Sequence, residues 1–226
     1  MDNILEDCPI LNREVLNCFI NSCAIIEDMN DDKLIHFNPD KSLRADAIRN
    51  RRLLLDTAER LFEQEGVEDV TMSAIAKEAG VGKGTLYRNF TDKAELCVAL
   101  LDEDMRKFQQ ETLEYLGACK NASDCLKWFL DKAASYVIKH SELLLEAANQ
   151  GSVNMLHHPA HFWWRQTIIG LLNRAEFEGD KSYIADMLYV MLDVQTIRFQ
   201  LHVQHYEVGR IIAGLQMSVD RLMQTD

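Results

Sequence analysis

Residues 83–90, K-G-T-L-Y-R-N-F, combine the side-chain groups that bond phosphate oxygens and the edges of bases. At helical spacing Leu86 and Phe90 fall on one face and the polar side chains on the other. The polar face offers an ammonium, hydroxyls, a guanidinium and an amide, which are the groups that proteins use to contact nucleic acid. Its members are Lys83, Thr85, Tyr87, Arg88 and Asn89.

A short helix followed by a tight turn is predicted to position this run. Thr71 is a suitable N-cap for a helix over Ser73–Ala79, whose inward face carries small and apolar residues. Gly80 can adopt the positive φ that ends such a helix, and Val81 then fills the turn. The sequence therefore predicts a helix, a turn and a second helix over roughly 83–90.

The segment after this run has the pattern of another helix start. Asp92 and Glu95 have the spacing of a capping box. Lys93 then lies in the first helical turn, beside backbone amides that attract phosphate. A longer helix over roughly 45–65, stopped by Gly66, is predicted to precede the whole arrangement.

These segments together resemble one family. The string T-M-S-A-I-A-K-E-A-G-V-G-K-G-T-L-Y-R-N-F-T-D-K-A-E-L over 71–96, preceded by A-E-R-L-F-E-Q-E-G-V over 58–67, is similar to the tetracycline-repressor (TetR) family of bacterial regulators. The similarity covers about fifty residues, from Ile48 to Leu96. One departure is Gly82, where the family often has serine, and glycine is a weaker cap.

The resemblance implies a DNA-binding transcriptional regulator and assigns roles by position. It implies phosphate contacts by Thr71, Tyr87 and Lys93. The residues implied to face the groove are Ser73, Lys83, Gly84, Thr85, Arg88 and Asn89. Gly84 lacks a side chain and would let the helix approach the DNA closely.

The charge of the chain, −12, is distributed unevenly. Residues 1–40 hold two basic and nine acidic side chains, residues 41–96 hold ten of each, and residues 97–226 hold 12 and 17. The segment with the motif is thus the least acidic. Its start is locally basic, since Asp46 is the one acidic residue there, and this allows phosphate contacts that the net charge disguises. The basic residues are Lys41, Arg44, Arg49, Arg51 and Arg52.

Three prolines and ten glycines in 226 residues, without sustained strand-like alternation, predict an all-α fold. We expect an acidic, partly helical extension over 1–43, a three-helix helix-turn-helix domain over 44–92, and a helical effector-binding and dimerisation domain over 93–226. The helices expected in the last domain span roughly 92–116, 122–140, 141–150, 159–178, 181–204 and 207–223.

The second half of the chain contains clustered aromatic residues. Large rings with polar tips commonly line apolar small-molecule pockets, although core packing explains each ring singly. The candidate ligand-binding residues are Trp128, Phe129, Tyr136, Phe162, Trp163, Trp164, Gln166 and Gln195. The sequence does not identify the effector.

The last two predicted helices carry wide apolar stripes that could pair across a two-fold axis. Closing the core of the monomer is the alternative. The stripe residues are Ile184, Met187, Leu188, Met191, Leu192, Ile197 and Leu201 in the first, and Val208, Ile211, Ile212, Leu215, Val219 and Leu222 in the second.

Other chemistries have weaker support. The six cysteines lack a C-x-x-C pair and are expected to be reduced thiols, and thiol sensing by Cys97, Cys119 or Cys125 is the weaker alternative because no nearby residue in the sequence lowers their pKa. The closely spaced histidines His157, His158 and His161, like His202 and His205, are better explained as surface polar residues than as metal ligands. We expect no metal, no cofactor, no membrane span, no enzymatic activity and a cytoplasmic location.

The combined expectation is a homodimer that places two recognition helices in successive major grooves of a near-palindromic operator. We expect a repressor that a small-molecule effector releases. The alternative is a helical ligand-binding or scaffold protein that keeps the helix-turn-helix without operator specificity.

Overall fold

The computed structural model of the protein describes residues 41–149 and 159–224. These residues form helices and connecting turns, without a strand in either described range, so the all-α prediction is confirmed. The predicted extension over 1–43 lies almost entirely outside the described residues.

Ten α-helices and one π-helical turn make up the described part of the chain. They are α1 (Lys41–Glu65), α2 (Met72–Glu78), α3 (Lys83–Asn89), α4 (Lys93–Ala118), α5 (Ala122–Lys139), α6 (Ser141–Asn149), α7 (Pro159–Arg174), α8 (Lys181–Met191), α9 (Val194–Arg198), the π-helical turn Phe199–Val203 and α10 (Val208–Met223).

The chain forms two compact units, and the division falls within α4, between Asp104 and Met105. The described part of one unit spans 41–104 and 142–149, and we call it the reading unit. The other spans 105–141 and 159–224, and we call it the regulatory unit. The reading unit thus extends beyond the predicted 44–92, since it includes the start of α4 and most of α6.

The core of the reading unit forms where α1, α2 and α3 pack against one another. Leu54, Ala58, Ile75, Leu86 and Phe90 are fully buried there. They are the inward positions that helical spacing predicts, and their burial leaves the opposite faces of the short helices to solvent. The apolar side chains behind α3 therefore fix the orientation of its polar face.

In the regulatory unit, α5 packs against α7, α9 and α10, and α7 packs against α8. Many of the predicted stripe residues close this core, and the most buried are Leu188, Leu192, Ile197, Ile211, Leu215 and Val219. The alternative interpretation of the stripes, a core within the monomer, therefore holds for these six residues.

The predicted single helix over 181–204 is wrong, because the chain breaks after α8. Asp193 has an extended backbone, and its carboxylate accepts hydrogen bonds from the N–H groups of Gln195 at 2.9 Å and Thr196 at 3.1 Å. An aspartate in this conformation is an N-cap that starts a new helix. The apolar stripe continues across the break, and this continuity hid the cap in the sequence pattern.

The expectation that the cysteines are reduced thiols is wrong for one pair. Cys119 and Cys125 form a disulfide across the turn between α4 and α5. They share no recognised motif, and the reversal of the chain brings them together. Cys97 is a free, buried thiol, and burial, followed by the charge of Glu146, raises its pKa to about 12.

Candidate DNA-reading interface

Local capping interactions position α2 and the turn that follows it. The hydroxyl of Thr71 accepts a hydrogen bond from the N–H of Ala74 at 3.2 Å, which confirms Thr71 as the N-cap of α2. Gly80 has a φ of +68° after α2, and Gly66 has a φ of +87° after α1. Both glycines therefore end helices in the left-handed conformation that the sequence predicts for them.

The polar face of α3 is open to solvent. Lys83, Gly84, Tyr87 and Arg88 are exposed, and half of the Tyr87 side-chain surface is accessible (50%). Gly82 caps the helix without a side-chain hydrogen bond, as expected for glycine. A helix with four exposed positions on one side and an apolar side buried in the protein can enter the major groove of DNA without rearranging.

Three polar side chains of α3 are held along their own helix. The guanidinium of Arg88 donates to the carbonyl oxygen of Gly84 at 3.1 Å and to the hydroxyl of Thr85 at 3.3 Å. The amide of Asn89 donates to the carbonyl oxygen of Thr85 at 2.8 Å, and both residues are half-buried. Arg88 is exposed and can exchange these bonds for others, whereas Asn89 is less accessible.

Arg51 is a positioning residue that the sequence analysis did not single out. Its guanidinium donates to the carbonyl oxygen of Asn89, the last residue of α3, at 3.0 Å and lies 4.3 Å from the ring centre of Phe90. A cation at this place satisfies a C-terminal carbonyl and complements the helix dipole. The basic run from Arg49 to Arg52 was the available signal, but it was interpreted as general positive charge.

The neighbouring Arg52 does not add free positive charge, because it pairs with Asp56 at 3.0 Å and with Glu103 at 3.3 Å. The pairing with Glu103 is distant in sequence and could not be predicted from composition. The uncompensated positive charge at the start of the segment is therefore smaller than a count of basic residues suggests.

The structure gives Lys93 contacts within the protein. Its ammonium donates to the carbonyl oxygens of Val67 at 2.8 Å and of Glu68 and Val70 at 3.3 Å each. It also lies 3.6 Å from the carboxylate of Glu146 in α6, and the two side chains are only 13% and 15% exposed. The predicted phosphate contact of Lys93 stays a prediction, but the observed contacts tie the start of α4 to the loop before α2.

The predicted capping box at the start of α4 is present in a modified form. The carboxylate of Asp92 accepts from the N–H of Glu95 at 2.8 Å. The carboxylate of Glu95 accepts from the N–H and hydroxyl of Thr91, at 2.7 and 2.8 Å, so its return bonds reach one residue further back than predicted.

An open cleft of about 310 Å³ brings the three predicted phosphate contacts together. Thr71, Tyr87 and Lys93 come from three different elements, and all line this cleft. The remaining lining residues are Glu68, Val70, Met72, Thr91 and Asp92.

In the regulatory unit, four of the predicted ligand-binding residues gather around Phe108 of α4. We call Phe108, Phe129, Tyr136, Trp163 and Trp164 the aromatic cluster. The ring centre of Phe108 lies 5.4 to 6.0 Å from those of the other four, in stacked and edge-to-face arrangements. All five side chains are buried, and the rings occupy the interior together.

One polar atom in this cluster lacks a partner among the described residues. The indole Nε1 of Trp164 is buried and donates no hydrogen bond there, although the residue is only 5% exposed. Leaving such a donor unpaired costs about 1–3 kcal/mol, so the environment favours an added acceptor.

The other predicted ligand residues lie elsewhere. Trp128 stacks on Tyr115 at 4.0 Å between ring centres and is half-buried. Phe162 is 51% exposed, Gln195 is exposed and Gln166 is half-buried. Trp128 and Phe162 each directly precede a ring of the cluster, and neighbouring positions on a helix point about 100° apart.

The structure shows no group of three potential metal ligands among His, Cys, Asp and Glu in the described residues. His157 and His158 of the predicted histidine groups lie outside those residues.

The segment that has this geometry matches a known protein family. The model of the family described as "Bacterial regulatory proteins, tetR family" matches residues 54–100, which span the second half of α1, all of α2 and α3, and the start of α4. An HTH-type transcriptional regulator of Staphylococcus aureus (strain bovine RF122 / ET3-1) is 30% identical over 170 residues, covering 74% of this chain and 90% of the relative. The chain belongs to the tetR family.

Two solved structures of TetR-family proteins share the fold. A TetR-family transcriptional regulator from Pectobacterium atrosepticum has a TM-score of 0.61 at 16% identity, with 79% of this chain and 94% of that chain covered. FadR from Thermus thermophilus, a TetR-family transcriptional repressor solved in complex with lauroyl-CoA, has a TM-score of 0.61 at 14% identity, with 78% and 96% covered.

Family membership makes the protein a DNA-binding transcriptional regulator of the helix-turn-helix type. The Staphylococcus aureus relative is likewise a transcriptional regulator. No helix in the described part of this TetR-family chain combines the length and apolar character that crossing a membrane requires.

Proposed function

We propose that this regulator is a homodimeric cytoplasmic repressor that binds a near-palindromic operator and is released by a small-molecule effector. The observation that carries the DNA part is the exposed polar face of α3, held from behind by Leu86 and Phe90. The aromatic cluster, with an indole donor that has no partner among the described residues, supports the effector part.

For the DNA contacts, Lys83, Gly84, Thr85 and Arg88 face the major groove in this proposal, with Ser73 and Asn89 at its edges. Arg88 can donate to guanine after releasing its bonds to Gly84 and Thr85. Thr71 and Tyr87 bind phosphates at the rim of the cleft that they both line. Lys93 supports the loop before α2 and adds positive charge near these phosphates.

The dimer is proposed to form through apolar side chains that the monomer leaves exposed on the regulatory unit. Tyr183, Met187 and Val190 occupy one face of α8 at helical spacing, and Met217 is exposed on α10. A two-fold interface built on such a face repeats the same contacts on both partners. It would hold two copies of α3 roughly 34 to 36 Å apart, one turn of DNA.

Helix α4 is the proposed route from effector to DNA. It carries Lys93 in the reading unit and Phe108 in the aromatic cluster, so one helix contributes residues to both units. An effector that separates the rings around Phe108 would move α4. The effector can change operator affinity by no more than the ratio of its own affinities for the DNA-binding and the released conformation of the protein.

The DNA part is tested by operator selection with the purified full-length protein, followed by binding measurements on the selected site. Arg88→Ala is expected to lower affinity by about 1–3 kcal/mol and to relax preference at particular base pairs. Lys120→Ala, an exposed cation before α5, is the matched control and should leave preference unchanged. A wild-type protein that binds all sequences equally would favour the alternative of a scaffold without operator specificity.

The effector part is tested with lauroyl-CoA as a first probe, because FadR of T. thermophilus was solved with it. Tryptophan fluorescence should change on binding, since Trp163 and Trp164 lie in the cluster. Trp164→Phe keeps an aromatic ring but removes the Nε1–H donor, and it should weaken binding. Trp128→Phe, on the stacked pair with Tyr115, is the control and should not. Equal losses in both variants would place the effector outside the aromatic cluster.

A further inference from the structure

The turn between α4 and α5 contains a pair of cysteines that the regulatory mechanism above does not use. Cys119 follows the end of α4, and Cys125 lies in the first turns of α5. Their Cα atoms are 6.1 Å apart, within the range that disulfides span, and the structure shows them bonded. We propose that Cys119 and Cys125 form a reversible thiol–disulfide pair that hydroperoxides oxidise.

Hydrogen bonds that do not involve the sulfurs hold the backbone at each of the two cysteines. The N–H of Cys119 donates to the carbonyl oxygen of Tyr115 at 2.8 Å, and the N–H of Cys125 donates to that of Asn121 at 3.0 Å. Each backbone is therefore held by its own local hydrogen bonds. These bonds do not involve the sulfurs and remain when the disulfide is broken, so we expect the two thiols to stay near enough to react again.

A third helix holds the turn as well. The guanidinium of Arg174, at the end of α7, donates to the carbonyl oxygens of Leu116, at 3.2 Å, and of Cys119. Asn121 caps α5 by accepting from the N–H of Asp124 at 3.1 Å. Arg174 thus holds the backbone at the end of α4, and Asn121 holds the start of α5 on the other side of the turn.

The two sulfurs differ in access. Cys119 is half-buried, whereas Cys125 is fully buried. A small oxidant can therefore reach Cys119 first, and Cys125 is placed to resolve the product. This division between an accessible thiol and a neighbouring resolving thiol is typical of redox-sensitive pairs.

The reaction takes place in two balanced steps. The thiolate of Cys119 attacks one oxygen of hydrogen peroxide, the O–O bond breaks, and a sulfenic acid and hydroxide form; the hydroxide takes up a proton to give water. The thiol of Cys125 then attacks the sulfenic sulfur, the S–O bond breaks, and the disulfide and a second water form. In total, the two cysteine thiols lose two electrons and two protons to one peroxide. Two molecules of a small-molecule thiol reverse the change through a mixed disulfide.

The chemical test uses the folded full-length protein. Reduced protein is treated with one equivalent of hydrogen peroxide, and the cross-linked peptides are mapped by mass spectrometry before and after glutathione. The expected result is a Cys119–Cys125 link that forms and opens without denaturant. A link that resists glutathione until the protein is unfolded would identify a permanent structural disulfide, and a link that never forms would equally overturn the proposal.

Two variants check the order of the steps. Cys125→Ala replaces a buried thiol with a small apolar side chain, and the sulfenic acid at Cys119 should then accumulate and react with a 1,3-diketone probe. Cys119→Ser should leave Cys125 unmodified, because Cys125 is buried. Peroxide modification of Cys125 in this variant would contradict the assigned roles. Cys97, buried with a raised pKa, is the internal control for an unreactive thiol.

The pair also has a position from which it could affect DNA binding, since α4 begins in the reading unit and ends beside Cys119. This step rests on the proposed function. Operator affinity is expected to differ by about fivefold or more between reduced and oxidised wild-type protein and to be unchanged by peroxide in Cys119→Ser. Cross-linking without a change in affinity would refute the regulatory role, whereas a protein that binds no operator in either state would refute the proposed function instead.

Discussion

The Lys93→Met variant tests whether Lys93 supports the reading unit or contacts DNA phosphates. Methionine retains an unbranched apolar side chain and removes the ammonium. The observed ammonium has three carbonyl acceptors, those of Val67, Glu68 and Val70, and lies beside Glu146. The substitution therefore removes every one of these contacts while changing the packing little.

The expected loss follows from burial. A hydrogen bond to a charged group contributes about 1.5–3 kcal/mol, and removing one partner of a buried ion pair costs about 3–5 kcal/mol. The three bonds share one ammonium, two of them are long at 3.3 Å, and the pair keeps some solvent access. We therefore expect Lys93→Met to lower the free energy of unfolding by roughly 2–4 kcal/mol.

The assay is urea unfolding followed by circular dichroism at several urea concentrations. Lys77→Met, at an exposed position in α2, is the matched control and should stay within about 0.5 kcal/mol of the wild type. Adding Glu146→Gln to Lys93→Met should recover part of the loss, because the buried carboxylate no longer carries a charge.

A different result would show that Lys93 acts mainly on DNA. In that case Lys93→Met would unfold like the wild type, and the slope of log affinity against log salt concentration would fall by about one. This outcome would refute the argument that the observed carbonyl contacts hold the loop before α2.

Three further measurements test individual contacts. Thr71→Ala removes the cap of α2 and should cost about 0.5–2 kcal/mol in urea unfolding, while Thr71→Ser should cost little; equal losses would contradict the capping role. Asp193→Ala should destabilise the regulatory unit by about 1 kcal/mol, and Asp193→Asn should be milder, since it can still cap. Arg165 donates to Asp186 at 2.5 Å and holds the pKa of that carboxyl below its ordinary value of 3.8. The resulting stability is present above that value and is lost as pH falls through the lowered pKa, by less than about 1 kcal/mol because the carboxylate is half exposed. Asp186→Asn should remove this part of the acid dependence, and an unchanged pH profile would show that the pair contributes nothing.

The sequence by itself determined the helix-turn-helix, because its signals are local. Thr71 caps the segment that begins one residue later, and Gly80 supplies a backbone conformation that side chains disfavour. The spacing of Leu86 and Phe90 determines which side of α3 is buried. Each of these effects acts within a few residues, so no knowledge of the rest of the fold was needed.

The tertiary structure decided which distant side chains meet. Lys93 reaches the loop at Val67–Val70, Arg51 reaches the end of α3, and Cys119 meets Cys125, because the chain reverses or crosses between them. The aromatic residues show the same limit. Phe108 lies at the centre of the cluster, although no sequence pattern indicated it. Trp128 does not join the cluster and stacks on Tyr115 instead.

Charge shows the same division between local and tertiary information. The sequence located the neutral segment within an acidic chain, which is a matter of counting. Only the fold showed that Arg52 is paired with Glu103 and that the Lys93 ammonium is enclosed, because pairing depends on distances between helices and not on order along the chain. The sequence thus predicted which helix faces DNA, and the tertiary structure decided which of the surrounding basic groups support that helix.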